Sequence, residues 1–346
     1  MSRVSTLPAL RWAVVGPGEI ANRFAQALAG VPGQQLSAVI GRDALRAQAF
    51  AARWSHPDRP ARVHTSLQAL ASDGRIDAVY VATPHSAHGQ AVRAALEAGL
   101  HVLCEKPLAT HAREAEQLAV LARAQGRLLM EAFWSRLLPV MPVLREWLAR
   151  GGIGRVQTIQ ASFCFALPFD PLRRHFDPAQ AGGVLLDIGV YPLGIARDLL
   201  AVQGERGEPT LHVTGRVGAS GVEERVAMML AWPGGAVGQF VCGFDGRAPN
   251  DMVLLGERGH ITLHGPFWEC THASLSCPGE PVRHWQQPFR INGFEYEIEE
   301  ALRCIADGCV ESPAVPHADT VATLRLVDRM RRDLGVRFSF ERDDAA

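Results

Sequence analysis

At 346 residues the chain exceeds what one ordinary hydrophobic core organises, so two domains are expected. Its 35 basic and 36 acidic residues leave a formal charge of −1 and no Lys/Arg run forms a basic patch, which argues against a nucleic-acid partner. No stretch reaches the roughly 18 apolar residues a bilayer span requires, and residues 1–9 lack the charged and apolar regions of a signal peptide. With seven cysteines and no metal-type CxxC pairs, free thiols in a reducing cytoplasm are expected.

The first predicted strand, Trp12-Ala13-Val14-Val15, breaks into Gly16-Pro17-Gly18-Glu19-Ile20-Ala21. This is a GxGxxA turn. Its first glycine permits the sharp reversal, its second lets backbone approach a pyrophosphate, and the small third residue allows close packing of helix on strand. Ile20, Phe24 and Leu28 then mark one face of a helix, and Leu36 to Ile40 a second strand, all within one βαβ length. Gly16, Gly18, Glu19 and Ile20 are therefore expected around a dinucleotide. The second strand ends in Gly41-Arg42, without the carboxylate that holds an NAD ribose hydroxyl. A guanidinium there can hold a 2′-phosphate bidentately, so NADP is favoured over NAD. The plainer alternative is a solvated Arg42 with Asp43 capping a helix from Ala44 to Trp54, which suits either coenzyme.

Strands near 61–64, 78–82, 101–104 and 128–131 alternate with helical patterns, which predicts a parallel Rossmann sheet over residues 1–131. The fourth strand leads into Thr83-Pro84-His85-Ser86-Ala87-His88, a turn and a helix with Ser86 as its cap. Its tip borders the dinucleotide crevice, so Thr83, Pro84, His85 and His88 are expected at the nicotinamide half. A zinc site on the two histidines lacks further ligands at supporting spacing, and no metal is expected. The fifth strand ends in Cys104-Glu105-Lys106-Pro107. Ligands of open α/β sheets bind beyond the carboxyl ends of strands, which puts Glu105 and Lys106 where chemistry occurs. Taken alone, Lys106 reads more readily as a solvated surface charge; the motifs before and after it reverse that.

Beyond residue 131 the pattern changes to longer alternating strands, predicting an α+β domain over 132–346 on an open, mostly antiparallel sheet. In Val156 to Phe165, the residues Ile159, Ala161, Phe163 and Phe165 share one face. Val226 to Leu230 and Ala236 to Val241 flank the hairpin signal Pro233-Gly234-Gly235. Because Val226 to Ala231 is apolar on both faces, a second copy covering the open face, a homodimer, is expected; a core strand of a monomer is the alternative.

These motifs, with Met130-Glu131-Ala132-Phe133-Trp134-Ser135-Arg136 and Gly182-Gly183-Val184-Leu185-Leu186-Asp187-Ile188-Gly189-Val190-Tyr191, stand in the order found in one family. Residues 10 to 340 resemble the glucose-fructose oxidoreductase, inositol dehydrogenase and MocA (Gfo/Idh/MocA) family. The resemblance is to its dimeric dihydrodiol dehydrogenase and NADP-dependent D-xylose dehydrogenase branch. It implies hydride transfer between a nicotinamide and a sugar or cyclic polyol, with Lys106, Tyr191 and Asp187 at the reacting centre.

A lysine acts as a base at neutral pH only where burial or cationic neighbours lower its pKa; charged, it can instead polarise the substrate oxygen. Tyr191 then carries the proton. Other branches place histidine at the tyrosine position, so the proton carrier stays open between Lys106 and Tyr191. Asp187 precedes Tyr191 by four and shares its helix face, for a substrate hydroxyl or, more plainly, as a cap or salt-bridge partner. Pro192 predicts a local kink or cap. Trp134 and Arg136 are expected in the substrate pocket, with core packing the alternative for Trp134; Phe163, Arg174 and His175 are weaker candidates. Two departures stand out: Gly41 where the branch often has serine, and Ala181 where it often has a third glycine.

The expectation is an NADP-dependent oxidoreductase acting on an aldose such as D-xylose or D-glucose, oxidised at C1 to a lactone, or on a cyclic trans-dihydrodiol. The alternative is a silent NADP-binding sensor of the same fold. Such a protein is expected to lose the lysine, and this chain keeps it.

Overall fold

A computed structural model describes residues 7–344; residues 1–6, most of the stretch inspected for a leader, lie outside it. The chain forms two compact units, Met1–Leu137 with Arg290–Val321, and Leu138–Phe289 with Ala322–Ala346.

The first unit carries a six-stranded parallel sheet of β1 (Arg11–Val15), β2 (Gln35–Ile40), β3 (Arg62–His64), β4 (Ala78–Val81), β5 (His101–Glu105) and β6 (Leu129–Ala132) in the order β3-β2-β1-β4-β5-β6. All six fall where the alternation of strand and helix patterns predicts them. β4 and β6 are buried throughout and β1 and β5 at all but their first residue, which is why these segments read as continuous apolar runs and not as alternating ones. Strand order reverses at β1, between β2 and β4, and the ligand crevice of such a sheet opens at that switch point. Helix Glu19–Gly30 covers the sheet with Phe24, whose ring stacks on Tyr80 at 3.7 Å and meets Trp12 edge-on at 5.5 Å.

Where the sequence suggests one boundary after residue 131, residues 290–321 instead pack with the first unit. They contain helix Glu295–Ala306, whose Glu295 carboxylate accepts the N–H groups of Ile291, Asn292 and Gly293. Asn292 ties this segment to the first helix by accepting from Arg23 and donating to its carbonyl, both at 2.9 Å. Amphipathic periodicity says that a helix buries one face, not which unit provides the cover. A second correction concerns Ser86. It is exposed inside a 3-10 turn, His85–Ala87, and the following helix His88–Glu97 starts at Ala87 without a side-chain cap.

The second unit holds an eight-stranded sheet: β7 (Val156–Cys164), β8 (Thr210–Val217), β9 (Glu223–Ala231), β10 (Val237–Gly243), β11 (Met252–Gly256), β12 (His260–Leu263), β13 (His272–Ser276) and β14 (Arg283–Gln286). Their order is β14-β13-β12-β11-β7-β10-β9-β8, antiparallel except for the parallel pair β7 and β10. The hairpin at Pro233 closes through Trp232 N–H to Ala236 carbonyl, 2.9 Å. In β9, Val226, Met228 and Leu230 are buried, while Met229 on the opposite face is 49% exposed. Among the described residues no helix is long and apolar enough to cross a membrane.

Candidate active site

In the first unit the expected residues gather at the carboxyl ends of β1, β2, β4 and β5. Gly16 turns with φ +89°, and a Cβ there would stand 2.6 Å from the Ala82 carbonyl oxygen, so no larger residue fits this reversal. Gly18 caps the helix by backbone alone: no side chain satisfies its first turn, and a Cβ at Gly18 would meet nothing nearer than Gly16 O at 4.0 Å. Glu19 and Ile20 follow in that first turn. The orphan amide groups and the clear space fit a diphosphate.

At the tip of β2, Arg42 is exposed and Asp43 caps helix Ala44–Trp54 by accepting from Arg46 N–H at 3.1 Å, the plainer of the two arrangements expected for this pair and one that suits either coenzyme. The missing serine has a steric cause. A Cβ at Gly41 would lie 3.0 Å from the Pro17 ring, which needs that space.

At the tip of β4, the Thr83 hydroxyl oxygen is buried and has no hydrogen-bond partner, an orphan polar atom suited to a coenzyme amide or hydroxyl. Pro84 and the buried His85 follow. His88 is placed differently from the sequence expectation. It is 1% exposed, with Nδ1 at 2.7 Å from the Pro107 carbonyl and Nε2 at 2.8 Å from that of Thr83. Both ring nitrogens are engaged by backbone, so His88 braces the β4 and β5 loops against each other.

Lys106 is half-buried at the end of β5 in a cis peptide to Pro107. Its surroundings are acidic. The Lys106 N–H donates to Glu105 Oε2 at 3.2 Å and the Tyr80 hydroxyl donates to Oε1 of the same carboxylate. Two residues on, Leu108 N–H donates to Glu131 Oε1 at 3.0 Å, and Thr320 donates to its other oxygen at 2.6 Å. Burial raises Glu131 above its ordinary value, opposed by those hydrogen bonds and by the charges of Arg136 and Lys106. Glu297, fully buried on helix Glu295–Ala306, lies well above its ordinary value through burial and then the charge of Glu105, with Arg23 opposing.

Trp134 and Arg136 are engaged inside this unit. Trp134 is 4% exposed, packed on Phe294 at 5.1 Å and covered by the Arg23 guanidinium, so core packing accounts for it. Arg136 pairs with Asp319 at 2.9 Å. Among the described residues no three His, Cys, Asp or Glu side chains gather as a metal site.

In the second unit the segment Gly182 to Tyr191 forms its own cluster. Gly183 N–H donates to His175 O at 2.9 Å, and a Cβ on Gly182 would lie 2.7 Å from the Arg174 and His175 carbonyls, so the glycines seat the 174–175 loop. Ala181 takes φ 56°, the left-handed conformation that explains glycine at that position elsewhere. Leu185–Gly189 is a π-helical turn in which Val190 N–H reaches back to Leu185, and helix Val190–Ala201 follows with Pro192 in its first turn. The irregularity expected from Pro192 is this wide turn.

Asp187, 4% exposed on that turn, accepts from Arg174 at 2.9 Å and has His175 Nε2 at 3.7 Å. The Tyr191 ring lies 5.5 Å from Phe163, which itself stacks on Trp268 at 3.5 Å. Arg174, His175, Asp187, Tyr191 and Phe163 therefore form one neighbourhood. Sequence reading missed Glu223, whose buried carboxylate accepts from Leu185 N–H at 3.1 Å, and likewise Glu131 and Glu297. For Glu131 the available signal was a lone glutamate inside an apolar run, Met130-Glu131-Ala132; Glu223 and Glu297 stand among other charged residues and gave none.

Residues 10–133 match the GFO/IDH/MocA oxidoreductase family, NAD-binding Rossmann fold, and residues 142–262 match the GFO/IDH/MocA C-terminal domain. The chain is 36% identical over 340 residues to a trans-1,2-dihydrobenzene-1,2-diol dehydrogenase of Mus musculus, covering 95% of this chain and 98% of the relative. A 3-ketoreductase from Actinomadura kijaniata, solved with NADP and TDP-benzene, superposes with a TM-score of 0.81 at 26% identity, covering 93% of this chain and 97% of that one. An aldose-aldose oxidoreductase from Caulobacter crescentus complexed with glycerol shares the fold, with a TM-score of 0.83 at 24% identity over 93% of this chain and 96% of its own.

Proposed function

The chain belongs to the GFO/IDH/MocA oxidoreductase family, and from that premise we propose an NADP-dependent dehydrogenase that oxidises a CH–OH group of a cyclic trans-dihydrodiol or of an aldose at C1. The observation that carries this reading is Lys106 on the β5 tip of a sheet whose β1 turn, Gly16 to Ala21, has the space and the uncapped helix start a diphosphate needs. Gly16, Gly18, Glu19 and Ile20 would hold the diphosphate, Gly41 and Arg42 the adenosine ribose with its 2′-phosphate, and Thr83, Pro84, His85 and Glu105 the nicotinamide half. When bound, the coenzyme supplies a hydride acceptor at nicotinamide C4.

The chain's own groups handle the proton and the substrate. Lys106, in its ammonium form, donates to the substrate oxygen and polarises it. Tyr191 exchanges the hydroxyl proton, while Asp187, fixed by Arg174, accepts from a second substrate hydroxyl. Phe163 presents a ring beside Tyr191 for the C–H surface of a cyclic substrate. For the sensor alternative no supporting observation stands. The relative named above is a dehydrogenase, and Lys106, Asp187 and Tyr191 are all kept.

NADPH formation with D-xylose, D-glucose and a trans-dihydrobenzenediol tests the reading; saturable coenzyme binding without turnover on any of them overturns it. We further propose a homodimer through the open face of the second sheet. In support, Met229, Val241 and Leu255 are 49%, 39% and 37% exposed there, beside a groove of about 640 Å³ lined by Met229, Val241 and Val253. A sedimentation mass of one chain refutes it. The seven cysteines, none in a disulfide, support a reducing, cytoplasmic location.

A further inference from the structure

Of all the ionisable groups outside the reacting set, Glu223 has the least conventional setting. It is 0% exposed at the start of β9. One carboxylate oxygen accepts from Leu185 N–H at 3.1 Å, the first residue of the π-helical turn; the other is buried and meets no donor. The carboxylate occupies the space that Gly183 leaves: a Cβ there would stand 2.5 and 2.7 Å from its two oxygens, at a φ of +110° that side chains rarely adopt. A buried carboxylate with an oxygen lacking a donor costs stability, and a well-packed neutral residue would serve the fold better. Its retention calls for another role.

We propose that Glu223 is the positioning residue of the Leu185–Gly189 turn, setting through the Leu185 amide the placement of Asp187 and Tyr191, and that its ionisation gates their activity. The proposal rests on the oxidoreductase reading above for its catalytic consequence only.

Burial is the largest cause that pushes the Glu223 carboxyl up to about 7, with its own and the Leu185 amide and the charge of Arg331 opposing. Other charges nearby are committed elsewhere. Arg331 binds Asp328 and Glu341 and lies over the Phe338 ring; Glu224, next in the strand, pairs with Arg216, and Arg225 with Asp245; Asp187 holds Arg174. Since the folded value lies above the ordinary 4.5, the stability Glu223 contributes is fully present below about 4.5 and is lost as pH rises through about 7. Over the same interval the carboxylate forms, and its hydrogen bond to the Leu185 amide becomes charge-assisted and shorter. The turn is then held most firmly on the alkaline side, where hydride abstraction from an alcohol is also favoured.

Glu223→Gln keeps an acceptor for Leu185 N–H and cannot ionise. The wild type is expected to gain about tenfold in kcat between about pH 6 and about pH 8 through a one-proton step that Glu223→Gln lacks. A second readout needs no turnover. The chain has three tyrosines, so 3-fluorotyrosine labelling gives three 19F lines, with that of Tyr191 assigned by Tyr191→Phe. The Tyr191 line of the wild type should move through a step near pH 7 that is absent in Glu223→Gln. A folded Glu223→Gln that keeps the wild-type kcat step, or a Tyr191 line that titrates identically in both proteins, overturns the proposal. Failure of every substrate with the 19F difference intact overturns the oxidoreductase reading and leaves the positioning role standing.

Discussion

Two glycines two positions apart in the β1 turn, Gly16 and Gly18, separate folding from coenzyme binding, because each has a different reason to lack a side chain. Gly16→Ala forces a Cβ into a φ of +89° and to within 2.6 to 2.8 Å of the Ala82 and Thr83 backbone, which can give way only by moving the β4 tip. The strain alone is worth about 1–3 kcal/mol. At about 2–4 °C per kcal/mol for domains of this size, Gly16→Ala should lower Tm by at least about 3 °C. Gly18→Ala is the opposite case. Its backbone is extended, at φ −94° and ψ −165°, and the nearest atom to the new Cβ is 4.0 Å away. Alanine is compatible with that conformation, so the stability change should be neutral to slightly favourable, within about 1 kcal/mol. On the proposed reading the space the methyl fills is the approach to the diphosphate, and Kd for NADPH should rise at least about tenfold, or about 1.4 kcal/mol. Thermal unfolding and NADPH fluorescence titration of both variants read the two effects. A Gly18→Ala protein that binds NADPH as tightly as the wild type refutes the assignment of this turn; a large fall in its Tm refutes the reasoning that only the coenzyme needs the space.

Lys106→Ala should lower kcat by about two to four orders of magnitude with NADP affinity nearly unchanged, and retained turnover would remove Lys106 from the mechanism. Arg42→Ala should weaken NADP far more than NAD in parallel binding titrations; equal losses mean that the guanidinium does not read the 2′-phosphate. Glu297 has its folded value raised by burial and by Glu105, so its contribution to stability is present below the ordinary carboxylate range and is lost as pH rises. Glu297→Gln, which cannot ionise, should therefore gain in Tm on the wild type as pH is raised; a Tm difference that stays constant with pH would show that Glu297 does not titrate in the fold.

What could be read from the sequence followed from how each signal arises. Five strands of the first sheet were legible because burial leaves a nearly continuous apolar run, and β3, exposed or half-buried, because strand and helix patterns alternate around it; the GxGxxA turn was legible because its first glycine answers to a steric need at Gly16 and its second leaves clear space at Gly18. Lys106, Asp187 and Tyr191 were singled out as residues of recurring motifs, and their roles are the proposal made above. The place of helix Glu295–Ala306 was not, since its periodicity names a buried face and no partner. His88 was misjudged for a related reason: a histidine at a strand tip can face a ligand or backbone, and only the two carbonyls beside it decide.

The least legible residues share a physical design. In each unit a side chain proposed to be functional sits two residues from a backbone amide held by a buried glutamate: Leu108 N–H on Glu131 beyond Lys106, and Leu185 N–H on Glu223 before Asp187. Holding the amide fixes the loop while leaving the side chain's own hydrogen-bonding capacity for other partners. A carboxylate suits the task because it accepts strongly, and burial excludes the water that would compete. The cost is that burial pushes the carboxyl up from its ordinary value at both glutamates. Sequence patterns cannot show this device, because the contact joins a side chain to the backbone of a distant segment, whose residue type is irrelevant to the bond. It follows that replacing Leu108 or Leu185 by another apolar residue should matter far less than replacing either glutamate, since the amide survives the substitution and the acceptor does not.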